Sequence, residues 1–223
     1  MNEVIALIPA FSHVHWRLAE ALRKAHMPII MVHGCSDLVR ARSRLLCDAL
    51  KTRADTFLFI DADIMATPEQ LLELAQSKKV DEFNCVTGCY FVRPGHLAAV
   101  PNDPEAEIHI FGDERYLPAV VAGMGFAAVH RSTIEKIRAS EPVVRDPGGD
   151  EWTPFFLPFV LKHEVDGEVV NEYVPEDYSF WWRIKMAAKA QLWLDTALPV
   201  GHVKENVLMP KGTVASLGAE KIA

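Results

Sequence analysis

A chain of 223 residues, half of them apolar, is long enough to bury a sizeable core as one large domain or two small ones. Its formal net charge of −7 excludes the basic stripe that a phosphate-backbone-binding surface needs, so nucleic acid is not expected as a partner. The four cysteines, Cys35, Cys47, Cys85 and Cys89, form no paired CxxC motifs and read as free thiols of a reducing compartment. The opening MNEVIALIPAFSH lacks the basic region of a signal peptide, and no window approaches the apolar run of a transmembrane segment; the expected location is cytoplasmic.

In chain order, residues 4–9 are a short apolar run that predicts a first strand. Residues 14–25 follow with helical spacing of Trp16, Ala19 and Leu22, and PIIMVH (28–33) predicts a second, buried strand. Ser36 or Asp37 can cap a helix running to residue 51, with Leu38, Leu45 and Ala49 on one stripe. FLFI (57–60) predicts the third buried strand. Thr67-Pro68-Glu69-Gln70 combines an N-cap, a proline at the first helical position and a capping-box glutamine. Three strand–helix units predict an α/β fold with a mostly parallel central sheet flanked by helices. Right-handed crossovers place the carboxyl ends of these strands on one edge, where open α/β sheets bind ligands.

The second half is expected to be smaller and mixed. NCVTGCYFVR (84–93) and AGMGFAAVHR (122–131) read as strands, and Ser132 with Glu135 as a capping box. Residues 142–158, rich in Pro, Gly, Asp and aromatics, predict a long loop. Residues 159–164 and 169–174 flank the turn pair Asp166-Gly167, predicting a hairpin. A helix over 175–190 and a strand over 191–195 complete the core, which is read as one domain over 1–203, with halves 1–80 and 81–203. Residues 204–223 read as a lid or a frayed tail.

The chemistry concentrates in FIDAD (59–63). Side chains two apart on an extended segment share a face, so Asp61 and Asp63 would repel unless a cation sat between them. Hard oxygen ligands suit Mg²⁺ or Mn²⁺, which are commonly held by one or two carboxylates plus substrate phosphates. In the bland alternative Asp63 caps a turn and Asp61 is solvated. Arg40 and Arg44 share a helix face while Arg42 points elsewhere; one of the three can reach a phosphate, with solvated surface the default for the others.

The order of an IPAF-like first strand, a helix carrying Arg42-Ser43, the FIDAD strand end, a Gly-containing strand, Pro-Glu-Asp before a helix and a late histidine resembles the nucleotide-sugar glycosyltransferases of the GT-A fold, of the family 2 type. The resemblance spans about residues 3–203. It implies a GT-A-like, Rossmann-like fold and transfer of a sugar from a nucleotide-sugar, a UDP-sugar by family habit, to an acceptor hydroxyl. Pro9, Ala10 and Phe11 would line the nucleoside pocket, and Arg42 would occupy the Arg of an Arg-Asn signature in which Ser43 replaces Asn. Asp61 would sit near the ribose or the metal, and Asp63 and His202 would bind Mn²⁺ or Mg²⁺. Glu176 and Asp177 match the Glu-Asp pair, with Asp177 the base of an inverting displacement, kept ionised by the helix dipole.

Gly123-Met124-Gly125-Phe126 would bring backbone close to the donor sugar or pack a tight strand. Trp152, Phe155 and Phe156 would form an apolar platform for a sugar ring or anchor their loop. Of Trp181 and Trp182, one ring reads as core and the other as acceptor-facing. Two other readings stay open. A haloacid-dehalogenase-like phosphatase also ends a strand with Asp-x-Asp, although after its first strand; a non-catalytic nucleotide- or sugar-binding module could keep the same fold. A sugar-phosphate nucleotidyltransferase would need a Gly-rich basic loop that AFSHVHWR does not supply.

Overall fold

The computed structural model describes residues 3–165, 167–203, 207–208 and 213–214. Asp166 of the expected hairpin turn and most of the expected lid or tail lie outside the described residues. Eight strands form the central sheet: β1 (Val4–Ala10), β2 (Ile29–His33), β3 (Thr56–Ile60), β4 (Asn84–Cys89), β5 (Ala99–Pro101), β6 (Tyr116–Ala122), β7 (Phe126–His130) and β8 (Gln191–Pro199). Their order is β2-β1-β3-β7-β4-β8-β6-β5. The pairs β2–β1, β1–β3 and β4–β8 are parallel. β7 is antiparallel to β3 and β4, and β6 to β8 and β5, so only β6 and β7 run against the rest.

Helices cover both faces. α2 (Leu38–Ala49), α4 (Arg131–Ser140) and α5 (Glu176–Arg183) bury Leu45, Ile134 and Phe180 in one core layer, with Leu7, Phe57 and Phe59 of the sheet. α1 (Trp16–Lys24) and α3 (Pro68–Ala75) bury Leu18, Leu22 and Leu71 against Ile8, Leu58 and Ile60 on the other face. All five positions of β3 are buried, because this strand is central and covered on both sides, and its run is therefore continuously apolar. Local signals decide several boundaries. Asp37 caps α2 by accepting from the Arg40 N–H at 3.1 Å, and Thr67 and Gln70 form the reciprocal capping box of α3. At the far end of α2 the Arg131 guanidinium donates to the carbonyls of Ala49, Leu50, Thr52 and Ala54, satisfying acceptors that the last turn leaves open.

Five local expectations are corrected. β2 is an edge strand with alternating exposure, not a buried one; Ile29 and Met31 face solvent. The expected strand over 122–131 begins only at Phe126, and 116–122 is a separate strand that Pro118 disguises. α4 starts at Arg131 behind a His130 cap, two residues earlier than a Ser132 cap would place it. The helix after Pro175 widens into a π-helical turn over Ile184–Ala188 and stops at Lys189, which has a left-handed φ of 56°. Phe155 and Phe156 are fully buried: Phe156 stacks on Phe180 at 4.3 Å, so these rings anchor the 142–158 loop and offer no platform to a sugar.

Candidate functional site

The carboxyl ends of β1, β3, β4 and β8 and the start of β7 meet at one edge, around a cleft of about 560 Å³. Pro9, Arg42, Asp61, Asp63, Glu176, Asp177 and His202 all line it, as does Phe11, which is 65% exposed at its rim. Ala10 does not join them: its side chain faces the core between α1 and the sheet. A larger cleft of about 1000 Å³ opens at the opposite edge, beside Glu3, His26, Thr52 and Lys78. It carries none of the paired carboxylates.

Odd-numbered residues of β3 face the layer beneath α2 and α5, so Asp61, continuing that phase, meets Arg42 of α2 and lies across from Asp177 of α5. Both Asp61 oxygens accept from Arg42 Nη2, at 2.9 and 3.0 Å. Arg42 Nη1 donates to Asp177 Oδ1, and the Met124 N–H donates to Asp177 Oδ2 at 3.1 Å. The guanidinium is 2% exposed and lies 5.8 Å over the Phe156 ring. Two flanking carboxylates hold its charge against that burial.

The chain turns at Ala62, where the Ile64 N–H donates back to the Asp61 carbonyl, so Asp61 and Asp63 do not share a face. This corrects the extended geometry expected from the triplet. Asp63 turns instead to His202. The short strands Gly201–Val203 and Ile64–Met65 pair antiparallel, with His202 opposite Ile64, and bring His202 Nε2 to 3.1 Å from Asp63 Oδ2. His202 Nδ1 lies 2.7 Å from the Phe91 carbonyl oxygen, which can only accept, so Nδ1 carries the proton. In the neutral ring Nε2 then presents a lone pair to a carboxylate oxygen. A second ring proton would make this contact a charge-assisted hydrogen bond.

Among the described residues no group of three or more His, Cys, Asp or Glu side chains converges as a cation cage. The Asp63–His202 pair nevertheless fits a divalent ion that draws its other ligands from a phosphorylated substrate and water, and its imidazole favours Mn²⁺ over Mg²⁺.

Electrostatics at Asp177 run against the helix-dipole expectation. Burial pushes the Asp177 carboxyl up to about 6; Arg42 pulls it down, and Asp61 and Glu176 add to the rise. The dipole at the first turn of α5 is outweighed by desolvation. The group still ionises at neutral pH and is a stronger base than an exposed aspartate.

Arg40 and Arg44 do not reach the cleft: both pair with Asp146, and Arg44 also with Asp150, tying the 142–158 loop to α2. Trp181 is core and donates to the Ala122 carbonyl, while Trp182 meets Phe159 edge-on at 5.9 Å. Gly123, Met124 and Gly125 cross the cleft between Asp61 and Asp177: the Asp61 N–H donates to the Gly125 carbonyl at 2.9 Å. Sequence reasoning missed Tyr90, which is 4% exposed at the end of β4 and accepts from the Gly125 N–H at 2.8 Å. It also missed His13 and His15 on the loop after β1. The two closely spaced glycines were the available sign that a bulky group lies against that turn.

No protein-family model matches the chain, and no curated protein matches it. Solved structures do. A197 from STIV superposes with a TM-score of 0.62 at 19% identity, covering 100% of this chain and 97% of its own. The structure of GalNAc-T7 with UDP, GalNAc and Mn²⁺ superposes with a TM-score of 0.51 at 10% identity, over 92% of this chain and 44% of its own. At these identities the likeness defines the fold: a GT-A-like α/β fold with its cleft at the carboxyl edge of the sheet. Among the described residues no helix is long and apolar enough to cross a membrane.

Proposed function

We propose that the chain is a metal-dependent glycosyltransferase that moves a sugar from a nucleotide-sugar, a UDP-sugar in the first instance, to an acceptor hydroxyl with inversion. The observation that carries this reading is the division of labour at one sheet edge. Asp63 faces His202 on one side, and Asp177, held by Arg42 and the Met124 N–H, stands on the other. Residues 1–80 form the donor half and 81–203 the acceptor half of one catalytic unit.

Asp63 and His202 would hold the Mn²⁺ or Mg²⁺ ion, with Asp61 turned toward the ribose. A cation there neutralises charge on the departing diphosphate. Pro9 and Phe11 flank the nucleoside; Arg42 acts from beneath, by orienting both Asp61 and Asp177. Asp177 takes the proton of the acceptor hydroxyl as that oxygen forms its bond to the anomeric carbon. The bond to the nucleotide oxygen breaks on the opposite face, and its electron pair leaves with the diphosphate. Glu176 lines the cleft beside the base and raises its proton affinity.

A haloacid-dehalogenase-like phosphatase would require Asp61 as the nucleophile after the first strand of its sheet, whereas Asp61 follows the third. A non-catalytic binding module would bind nucleotide without turnover on any acceptor. Calorimetric titration of UDP and of GDP, with and without Mn²⁺, tests the reading. Metal-dependent, base-selective binding supports it, and absence of binding under every metal condition overturns it.

A further inference from the structure

Tyr90 touches each half of the cleft without facing the bulk of it. Its ring meets the His202 ring edge-on, with centroids 5.4 Å apart and planes at 86°. Its hydroxyl oxygen accepts from the Gly125 N–H at 2.8 Å. That turn contacts both acidic residues: the Gly125 carbonyl receives the Asp61 backbone N–H, and the Met124 N–H holds the Asp177 carboxylate. The turn is also shaped around the phenol. A Cβ on Gly123 would fall 2.2 Å from Tyr90 Oη, and one on Gly125 2.9 Å from Oη and 3.0 Å from Asp61 Oδ2. Neither glycine is among those with a left-handed φ, so close approach of Tyr90 is the constraint that excludes a side chain there.

We propose that Tyr90 is the positioning residue of this site, setting the Asp61 and Asp177 carboxylates through the Gly123–Gly125 turn while its ring holds His202 against Asp63. The inference rests on the proposed nucleotide-sugar reading for its binding readout, but its geometry stands apart from that reading. Burial, reinforced by the Asp61 and Asp177 charges, keeps the phenol protonated well above its ordinary range, so the hydroxyl acts as a neutral structural dipole and takes no part as a base.

The test is a rescue. Gly123→Ala forces the Tyr90 oxygen out of place; Tyr90→Phe removes that oxygen and leaves Cζ as the nearest ring atom, at 3.1 Å from the new methyl. Mn²⁺-dependent UDP and GDP binding is measured on the wild type, Gly123→Ala, Tyr90→Phe and the double variant. Gly123→Ala is expected to weaken binding about tenfold or more, the scale of one lost buried hydrogen bond with its geometry. The double variant is expected to bind within about threefold of Tyr90→Phe. Wild-type binding in Gly123→Ala, or a double variant weaker than Tyr90→Phe by the full factor that Gly123→Ala costs the wild type, overturns the proposal.

Amide exchange at Met124 and Gly125 provides the second readout, which needs no nucleotide. Tyr90→Phe should speed exchange at Gly125 by tenfold or more, against unchanged rates in α3. Unchanged Gly125 protection overturns the proposal. If the wild type binds neither nucleotide, the glycosyltransferase reading fails and amide exchange alone decides the role of Tyr90.

Discussion

Asp177 gives the sharpest test, because the group proposed to act as base also costs stability. Its carboxyl, ordinarily near 3.8, is pushed up to about 6 in the folded protein, mainly by burial. Between those values the folded state binds more protons than the unfolded one, so stability falls as pH rises through that window. A shift of that size corresponds to about 2 kcal/mol lost by neutral pH relative to pH 4. Asp177→Asn removes the titration. The amide keeps one acceptor oxygen but turns a donor toward either Arg42 or the Met124 N–H, a pH-independent cost of about 1–3 kcal/mol. The two effects offset each other near pH 7.5, so the diagnostic is the slope. Urea unfolding of both proteins from pH 4 to 7.5 in the presence of a chelator should show the variant gaining about 2 kcal/mol on the wild type across the range. Parallel curves would refute the account of Asp177 as a buried carboxyl of raised proton affinity.

Further outcomes follow from the same geometry. Asp63→Ala should abolish the Mn²⁺ dependence of UDP or GDP binding, whereas Asp177→Ala should spare that binding and lose turnover; equal loss of binding in both would mean that the roles are misassigned. For a wild type that transfers sugar, kcat/KM should fall as pH drops through about 6, because the base must be ionised. Arg42→Met leaves Asp61 and Asp177 facing each other without their shared cation and should cost about 3–5 kcal/mol at pH 7.5, less at pH 4, by chemical denaturation. Phe156→Ala opens the core beneath Arg42 and should cost about 3–5 kcal/mol by chemical denaturation, with a smaller effect from Trp182→Ala, whose half-buried ring meets Phe159.

The sequence by itself determined the strand–helix rhythm of the first half, the capping box at Thr67 and the placing of Asp61 at the end of a buried strand. Those features are written locally, in a continuous apolar run, a cap and a proline, and local physics reads them. It could not determine where the second half inserts. β7 slots between β3 and β4 although it follows both of them in the chain, and that insertion brings the Gly123–Gly125 turn to Asp61. The aromatic loop was legible as a loop but not as a core anchor, because the stack of Phe156 on Phe180 joins segments that no spacing rule connects.

The site shows the same division. The residue types that carry charge at the cleft were visible in FIDAD, Pro-Glu-Asp and the late histidine. Their partners were not. Whether Asp61 faces Asp63 or Arg42 depends on a turn at Ala62 and on the approach of α2, and whether Asp177 is ionised easily depends on how deeply α5 is packed. Dipole and spacing are properties of a segment, whereas desolvation and long-range pairing exist only once the chain has closed around them. That is why tertiary structure alone decided the orientation of each carboxylate and the strength of the base.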